Sequence, residues 1–484
     1  MNREFFINIV FLIIINVLIK PFYIFGIDRT VQNRVGEDVY GVYFTITSFT
    51  VMLYIINDLG IQNYNSREIA RYRHLLDKYF SNILVLKGIL ALVYLFVIFA
   101  IAFILGYDVS LYPLIFYLAV NQIFLQFLVY LRSNIASLGF YRLSSILTIL
   151  DRLMLIIICA VLLWIKPFSE HFDILLFIHA QNLTLFITCV IAFIIVYKQL
   201  KTFKFRFNKP FLVSILRGSL PYALSVFLMG VYTRTDVVMV ERLLPDGNRE
   251  AGIYASAYRL LDAVNVIGFL FSMLLWPMFS RILKKGETVV PLLRLSFQVI
   301  MMGAVTLAVA TWFHRADIMQ VLYAKATPYS GDVLGVLMFS FVAVSGMYIY
   351  SALLGANGSV RQMNWIFGIA IAINIVFNIL LIPHQKALGA AISTLITQFF
   401  VVFGLMFLTK KVLLLRGDVL WISKLIGFVV AVFLINFIVK SYAFTGNWVV
   451  QLGVSMLLSC VVALLLGFLN YKKVEIMLKR DAEL

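Results

Sequence analysis

Between Asn82 and Leu105 the chain reads NILVLKGILALVYLFVIFAIAFIL, 24 residues whose one charge is Lys87. No face of a helix built from this stretch is polar, so no face suits water. A run of 18 or more apolar residues is long enough to cross the hydrocarbon core as a helix, at about 1.5 Å of rise per residue. A membrane β-strand would instead show about ten residues of alternating polarity. Gln451 to Leu469 repeats the pattern of the first run. Both stretches therefore read as membrane helices, in which every backbone N–H and C=O finds its partner within the segment. Continuous apolar length and loop signals place similar spans at 5–27, 39–61, 82–106, 111–136, 144–165, 174–198, 214–243, 252–280, 290–313, 332–357, 362–382, 388–409, 418–439 and 448–470. The expectation is an all-α polytopic membrane protein of about fourteen transmembrane helices.

Composition agrees. Of 484 residues, 62% are hydrophobic and 13% charged, with a mean hydropathy of +0.98. Soluble domains carry about 25% charged residues, so the polar residues here are too few to coat a water-facing surface. That excludes a cytosolic enzyme. The first span continues into Lys20-Pro21-Phe22-Tyr23 with no small-residue cleavage site behind it, and reads as a retained helix. Cys159, Cys189 and Cys460 lie in apolar runs without CxxC or Cys/His spacing, and the five histidines form no HExxH. No GxxxxGK phosphate loop occurs. The expectation is a non-enzymatic protein without metal, cofactor, catalytic residues or direct ATP drive.

Sorting the 40 Lys and Arg by loop gives orientation, since cytoplasmic loops accumulate them. With a cytoplasmic N-terminus, 22 fall in inside segments and 8 in outside loops, among the latter Arg29, Arg34, Lys166 and Arg249. Both termini are expected in the cytoplasm. The net charge of +17 then follows largely from topology and calls for no nucleic-acid partner. The basic loop 198–209 alternates Phe203, Phe205 and Phe207 with Lys204 and Arg206. It reads either as a headgroup-binding surface for anionic membrane lipids or as a plain positive-inside connector.

The chain also resembles itself. Tyr40-Gly41-Val42-Tyr43 opens the second span and Ala251-Gly252-Ile253-Tyr254 the eighth; Gly139-Phe140-Tyr141-Arg142 follows the fourth and Gly358-Ser359-Val360-Arg361 the tenth. Both matches are offset by six helices. An even offset preserves orientation, as in transporters with parallel repeats around a midplane cavity. The expected organisation is an N-lobe at 1–200, a basic cytoplasmic linker at 201–213 and a C-lobe at 214–410. Two further helices and a tail occupy 411–484. The two six-helix lobes are expected in a pseudo-twofold arrangement.

Several ordered blocks resemble a known family. Gly41-Val42-Tyr43, Asp58-Leu59-Gly60-Ile61 and Ser66-Arg67-Glu68-Ile69-Ala70 form the first. Gly218-Ser219-Leu220-Pro221, Thr233-Arg234-Thr235-Asp236-Val237, Gly252-Ile253-Tyr254-Ala255-Ser256-Ala257-Tyr258-Arg259-Leu260 and Trp276-Pro277-Met278-Phe279-Ser280-Arg281 follow. Leu353-Leu354-Gly355-Ala356-Asn357-Gly358, Asn374, Asn378, Ile382-Pro383 and Ala387-Leu388-Gly389-Ala390-Ala391 complete the set. Together they resemble the polysaccharide flippases, the O-antigen and capsule repeat-unit translocators of the multidrug/oligosaccharidyl-lipid/polysaccharide exporter superfamily. The resemblance covers most of residues 1–410. It implies a fourteen-helix alternating-access transporter of the bacterial cytoplasmic (inner) membrane, moving polyprenyl-pyrophosphate-linked oligosaccharide to the outer leaflet in lipopolysaccharide or capsule biosynthesis. Its implied partners are the lipid-linked oligosaccharide, membrane lipids, a polysaccharide polymerase and a chain-length regulator.

Ten bases and five acids fall inside the expected spans. Charges there are costly and usually face a bundle interior or a wet cavity. Lys87, Arg132, Arg217, Arg294 and Lys424 lie toward cytoplasmic ends, where long side chains snorkel to the headgroups. Asp151 and Arg152, about 100° apart, read as a structural pair with helix neighbours. Arg234 lies deeper. It is about 200° from Asp236 around the helix, so each needs a partner elsewhere. Arg259 and Asp262 share a face one turn apart, as an ion pair or as cavity groups. Lys20 precedes a helix-breaking proline, and reads as a cavity or a snorkelling charge.

Pyrophosphate cannot cross hydrocarbon uncompensated. Arg offers it a bidentate fork and Lys a point charge. Arg234, Arg259 and Lys20 are therefore the candidate pyrophosphate/sugar-binding residues, and Asp236, Asp262 and Asp58 the candidate ion-coupling acids. Tyr222, Tyr232, Tyr254 and Tyr258 could stack on sugars, but tyrosines also pack or sit at interfaces. A cation-coupled multidrug exporter of the same superfamily is the first alternative; residues 5–27 hold no Asp or Glu, and the excess of bases disfavours cationic drugs. A lipid II flippase needs similar cations. A glycosyltransferase or polymerase would need an acidic extramembrane loop, and 314–331 offers Asp317 alone.

Overall fold

The computed structural model describes residues 19, 21–62, 65–66, 69, 72, 76–200, 208–414, 419–442 and 446–467. The regular structure of these residues is helical and includes no strand. Eleven of their helices are long and apolar enough to cross a membrane, and the chain is a multi-pass membrane protein. A π-helical segment, Tyr23–Asp28, runs directly into α1 (Arg29–Val35). There follow α2 (Glu37–Met52), α3 (Leu76–Ile104), α4 (Tyr112–Ser137), α5 (Tyr141–Trp164), α6 (Ile174–Tyr197), α7 (Lys209–Leu243) and α8 (Gly247–Lys284). The second part of the chain forms α9 (Val290–Leu322), α10 (Pro328–Ala356), α11 (Val360–Val412), α12 (Val419–Ser441) and α13 (Trp448–Leu465).

At 53 residues, α11 is more than twice the length one crossing needs. It breaks at Lys386, whose φ is 53°, just after Pro383. Beyond the break the chain folds back: Ser393 Oγ donates to the Asn374 carbonyl at 3.1 Å across 19 residues. One continuous helix would hold those positions about 28 Å apart. The two halves thus account for the expected spans at 362–382 and 388–409. In α9 a kink at His314 marks the expected end of the span at 313. Counting α11 twice, the described helices follow the thirteen expected spans from 39–61 onward; most of the span at 5–27 lies outside the described residues.

Sequence chemistry fixes the ends. Asp173 accepts from the Leu176 amide at 2.7 Å and starts α6. Thr327 and Ser330 form a reciprocal capping box at α10, with Pro328 at the first helical position. The α3 helix exposes Leu92, Phe96, Phe103 and Ile104 while burying Ile83, Leu90, Tyr94 and Ile98. In a membrane span such an exposed apolar face suits acyl chains.

Contacts divide the chain into two compact units, Met1–Ala255 and Ser256–Leu484. In the first, Phe80, Tyr130, Leu131, Ile135 and Ala192 form the core of α3, α4 and α6. In the second, Val305 and Val309 of α9 pack with Phe428 and Val432 of α12 and Ala463 of α13. The two C-terminal helices are thereby docked on the unit by an apolar seam.

The first unit also contains a backbone crossing. A Cβ added at Gly41 would strike the carbonyl oxygen of Asn248, and one at Gly252 would strike that of Glu37. Each obstructing carbonyl lies four residues before the opposing glycine, so the crossing has a local twofold relation. Gln32 donates to the Gly252 carbonyl at 3.0 Å, and Arg249 Nε lies 3.5 Å from Glu37 Oε2. The two segments whose sequences match thus meet face to face.

Candidate functional site

The expected span 39–61 is not one helix. It stops at Met52, passes through a 3-10 turn at Tyr54–Asn57, and turns through Leu59 (φ 47°) and Gly60 (φ 75°) before helix resumes at Ile61. Asn57-Asp58-Leu59-Gly60 is turn chemistry set in an apolar run, and it frees carbonyl groups that lipid cannot satisfy. Lys87 of α3 supplies the missing donor. Its Nζ bonds the Asn57 carbonyl at 3.0 Å and forms an ion pair with Asp58 Oδ1. The lysine is 7% exposed and the aspartate 6%. Tyr130 of α4 presents its ring 5.5 Å from the ammonium. Beside the pair lies a cavity of about 180 Å³ lined by Asn57, Lys87, Gly88 and Ala91, with Ile123 and Gln126 from α4.

Lys87 was expected to snorkel. That expectation is corrected: the partner that holds it inside, Asp58, sits on a helix interruption hidden from any reading that treats 39–61 as regular. Arg132 also departs from snorkelling, since it is half-buried and donates to the Ser144 carbonyl at 3.3 Å. Arg217 and Lys424 are exposed. Arg152 lies 3.6 Å from Asp151 and 5.0 Å from the Tyr23 ring centroid, in line with a structural pair.

Arg234 is half-buried on α7, about 14 Å of helix short of Leu243. It lies within electrostatic reach of Tyr54 in the interrupted segment, as does Asp58. The same part of α7 lies against the end of α2, where Thr235 Oγ1, which donates to the Val231 carbonyl at 2.7 Å, is 3.5 Å from Met52 Sδ. A Cβ on Gly60 would come within 2.9 Å of the Ser219 carbonyl, so α7 and the interruption are in backbone contact. Arg234 and Asp58 are thus brought to one neighbourhood within the first unit. Asp236 is 1% exposed and accepts from Tyr254 at 3.3 Å. Tyr254, like Tyr232 and Tyr258, is buried and packs.

Arg259 and Asp262 lie one turn apart on α8 within the second unit, both half-buried. Lys20 and residues 201–207 of the basic loop lie outside the described residues. Near the Leu243 end of α7, Arg242 contacts Glu241 at 2.9 Å and covers the Tyr107 ring at 3.6 Å. Burial pushes the Tyr107 phenol up to about 12, so the ring beneath the guanidinium is neutral.

The first helix holds an acid after all. Helical structure continues through Tyr23–Asp28, and Asp28 is 1% exposed, accepting a 2.7 Å bond from Tyr40. The absence of acids from 5–27 therefore has no weight against a cation-coupled exporter. Helix runs on through Asp28 and α1 to Val35, beyond the expected end at 27, so Asp28, Arg29 and Arg34 are helical rather than in an outside loop.

A family model described as polysaccharide biosynthesis protein matches residues 6–283. The chain belongs to that family. No curated protein matches the sequence. Among solved structures, the chain is similar to the lipid II flippase MurJ in an inward closed conformation. Identity is 13%, the match covers 96% of this chain and 98% of that one, and the TM-score is 0.72. An inward-facing multidrug resistance MATE transporter of the MOP superfamily matches at 14% identity over 81% of this chain and 96% of its own, with a TM-score of 0.59. A MOP superfamily transporter from Pyrococcus furiosus matches at 14% identity over 85% and 96%, with a TM-score of 0.58. At these identities the likeness establishes a shared fold. In the case of MurJ it spans nearly the whole chain.

Proposed function

We propose that this chain is a flippase that carries polyprenyl-pyrophosphate-linked oligosaccharide, an O-antigen or capsular repeat unit, from the inner to the outer leaflet. The observation that carries the reading is the family match over 6–283 on a fold shared across 96% of the chain with a lipid-linked-substrate flippase. Transport proceeds by alternating access of two six-helix lobes, 1–200 and 214–410, joined by the linker 201–213, with 411–484 appended. The protein sits in the bacterial inner membrane with both termini cytoplasmic, and it works beside a polymerase and a chain-length regulator.

Arg234, Arg259 and Lys20 bind the pyrophosphate, whose charge needs cations in a wet site while the polyprenyl tail stays in lipid. Asp58, Asp236 and Asp262 are the candidates for ion coupling. No chemistry on the sugar is required of the chain.

The reading is tested in cells. Loss of the gene is expected to remove surface polysaccharide and to leave lipid-linked repeat units facing the cytoplasm, and the full chain supplied from a plasmid is expected to restore export. Normal surface polysaccharide in the null strain would overturn it, and so would drug sensitivity as the sole phenotype.

A further inference from the structure

We propose that the interruption of the second membrane span is a binding site for a small monovalent cation, H⁺ or Na⁺, which competes with the Lys87 ammonium for the Asp58 carboxylate and the Asn57 carbonyl. The inference rests on the transporter reading. It concerns a lysine that the substrate site does not use.

The ammonium of Lys87 touches one carboxylate oxygen and one backbone carbonyl oxygen. Those are hard oxygen ligands of the kind a sodium ion takes, and the carboxylate is also a proton acceptor. Lys87 thus occupies the place of a bound cation. Half-helix ends and unwound carbonyls at membrane depth are where transporters coordinate coupling ions, and the non-helical run from Leu53 to Gly60 provides such backbone.

A second, independent observation is the side chain of Asn57. It is 3% exposed, it lines the cavity beside Lys87, and neither its nitrogen nor its oxygen has a hydrogen-bonding partner among the described residues. An unsatisfied buried amide is costly unless another state uses it. The cavity, about 180 Å³, is also lined by Gln126. When a cation takes Asp58 the site gains one positive charge, and Lys87 is repelled. Its flexible stem can swing into this cavity, where the amide oxygens of Asn57 and Gln126 accept from the displaced ammonium. No bond is made or broken other than the proton's own when the cation is H⁺, passed from hydronium to the carboxylate with release of water.

Among the described residues, the titratable or charged groups around the pair are Tyr54 on the same segment, Tyr130 on α4, and Arg234 on α7 through its reach to Tyr54. Release of Lys87 unpins the Asn57 carbonyl. The turn that it pins packs on α7 at Ser219, and Met52, where α2 ends before the turn, reaches Thr235, one residue from Arg234. Cation binding therefore acts on the helix that bears the proposed pyrophosphate ligand.

The test follows amide hydrogen exchange across residues 53–61 of the full chain in lipid nanodiscs, without transport. Sodium is titrated at fixed pH, and pH at fixed potassium concentration after correction for intrinsic exchange. In the parent, exchange of this segment is expected to rise by about threefold or more with one of the two cations, which identifies it. The double variant Asp58→Asn/Lys87→Met keeps the site neutral and is expected to lose the response. A parent indifferent to both cations, or a double variant that responds like the parent, would overturn the proposal and leave the pair structural. Should the double variant not fold, Gln126→Leu decides: it removes an acceptor for the displaced lysine, and its response is expected at about tenfold higher cation concentration. An unchanged midpoint would overturn the proposal. None of these readings depends on the glycan, so failure here and failure of the flippase reading are distinguishable.

Discussion

Arg234→Ala is expected to lower export of surface polysaccharide by about 100-fold, with the protein still present in the membrane at the parent's level. The magnitude follows from the loss of a desolvated, hydrogen-bonded charge contact, which costs about 2 to 5 kcal/mol, partly because the opposite charge is left uncompensated. Arg234 is half-buried on α7 and well short of its Leu243 end, so no headgroup substitutes for the pyrophosphate. Arg234→Lys is expected to restore only part of the export, because a point charge replaces a planar fork that grips two oxygens at once. Arg259→Ala should act in the same direction. Immunoblots of membranes and of surface glycan measure both quantities together. If Arg234→Ala and Arg259→Ala, at parental levels, both export like the parent, these arginines are structural and the pyrophosphate role is wrong.

The second large effect is on folding. Gly41→Ala and Gly252→Ala each place a methyl group where a backbone carbonyl already lies, that of Asn248 in one case and Glu37 in the other. A clash with the tip of a side chain could be relieved by a rotamer change. Here only a shift of whole helices relieves it, and the shift would pull Gln32 from the Gly252 carbonyl and Arg249 from Glu37. Overpacking costs about 1 to 3 kcal/mol even where side chains give way, so each substitution is expected at the upper end of that range or beyond. Thermal unfolding of the purified variants in one detergent, scored against Gly88→Ala, measures it. A methyl at Gly88 meets nothing within 4 Å, and that variant should melt with the parent. Variants at 41 and 252 that melt with the parent would mean the crossing is looser than described.

Much of the fold was legible because a membrane makes length itself informative. Asn82 to Leu105 could only be a span, and the break at Lys386 was readable from Ile382-Pro383 followed by Gly389. The Gly41 and Gly252 repeat was visible as a weak match, but the crossing of its two copies was not, since sequence shows that small residues recur and not what they touch.

The polar interior was read less well. Lys87 lies near the end of an apolar run, where a lysine ordinarily snorkels, and nothing in that run names Asp58, 29 residues earlier. A signal existed in Asn57-Asp58-Leu59-Gly60, a turn sequence where a regular helix would be costly, and it predicts both the interruption and the need for a donor to its carbonyls. Asp28 lies beyond the expected span at 5–27 because the helix there runs on to Val35 through a stretch as polar as a loop. Asp236 reads from the helical wheel as needing a partner off its own face, and Tyr254 is one group that bonds it. A helical wheel could supply the need but not the identity, because the tyrosine comes from the start of the next helix.

The most direct measurement is leaflet exchange in proteoliposomes that contain the purified chain and a fluorescent polyprenyl-pyrophosphate oligosaccharide. Externally added glycosidase reads the fraction of substrate facing outward. The account predicts that all of the substrate becomes accessible within minutes in vesicles holding the parent, that only about half does so in protein-free vesicles, and that Arg234→Ala behaves like the protein-free control. Accessibility fixed at the protein-free level with active, folded parent protein would contradict it, as would rapid exchange of lipid II with none of the oligosaccharide.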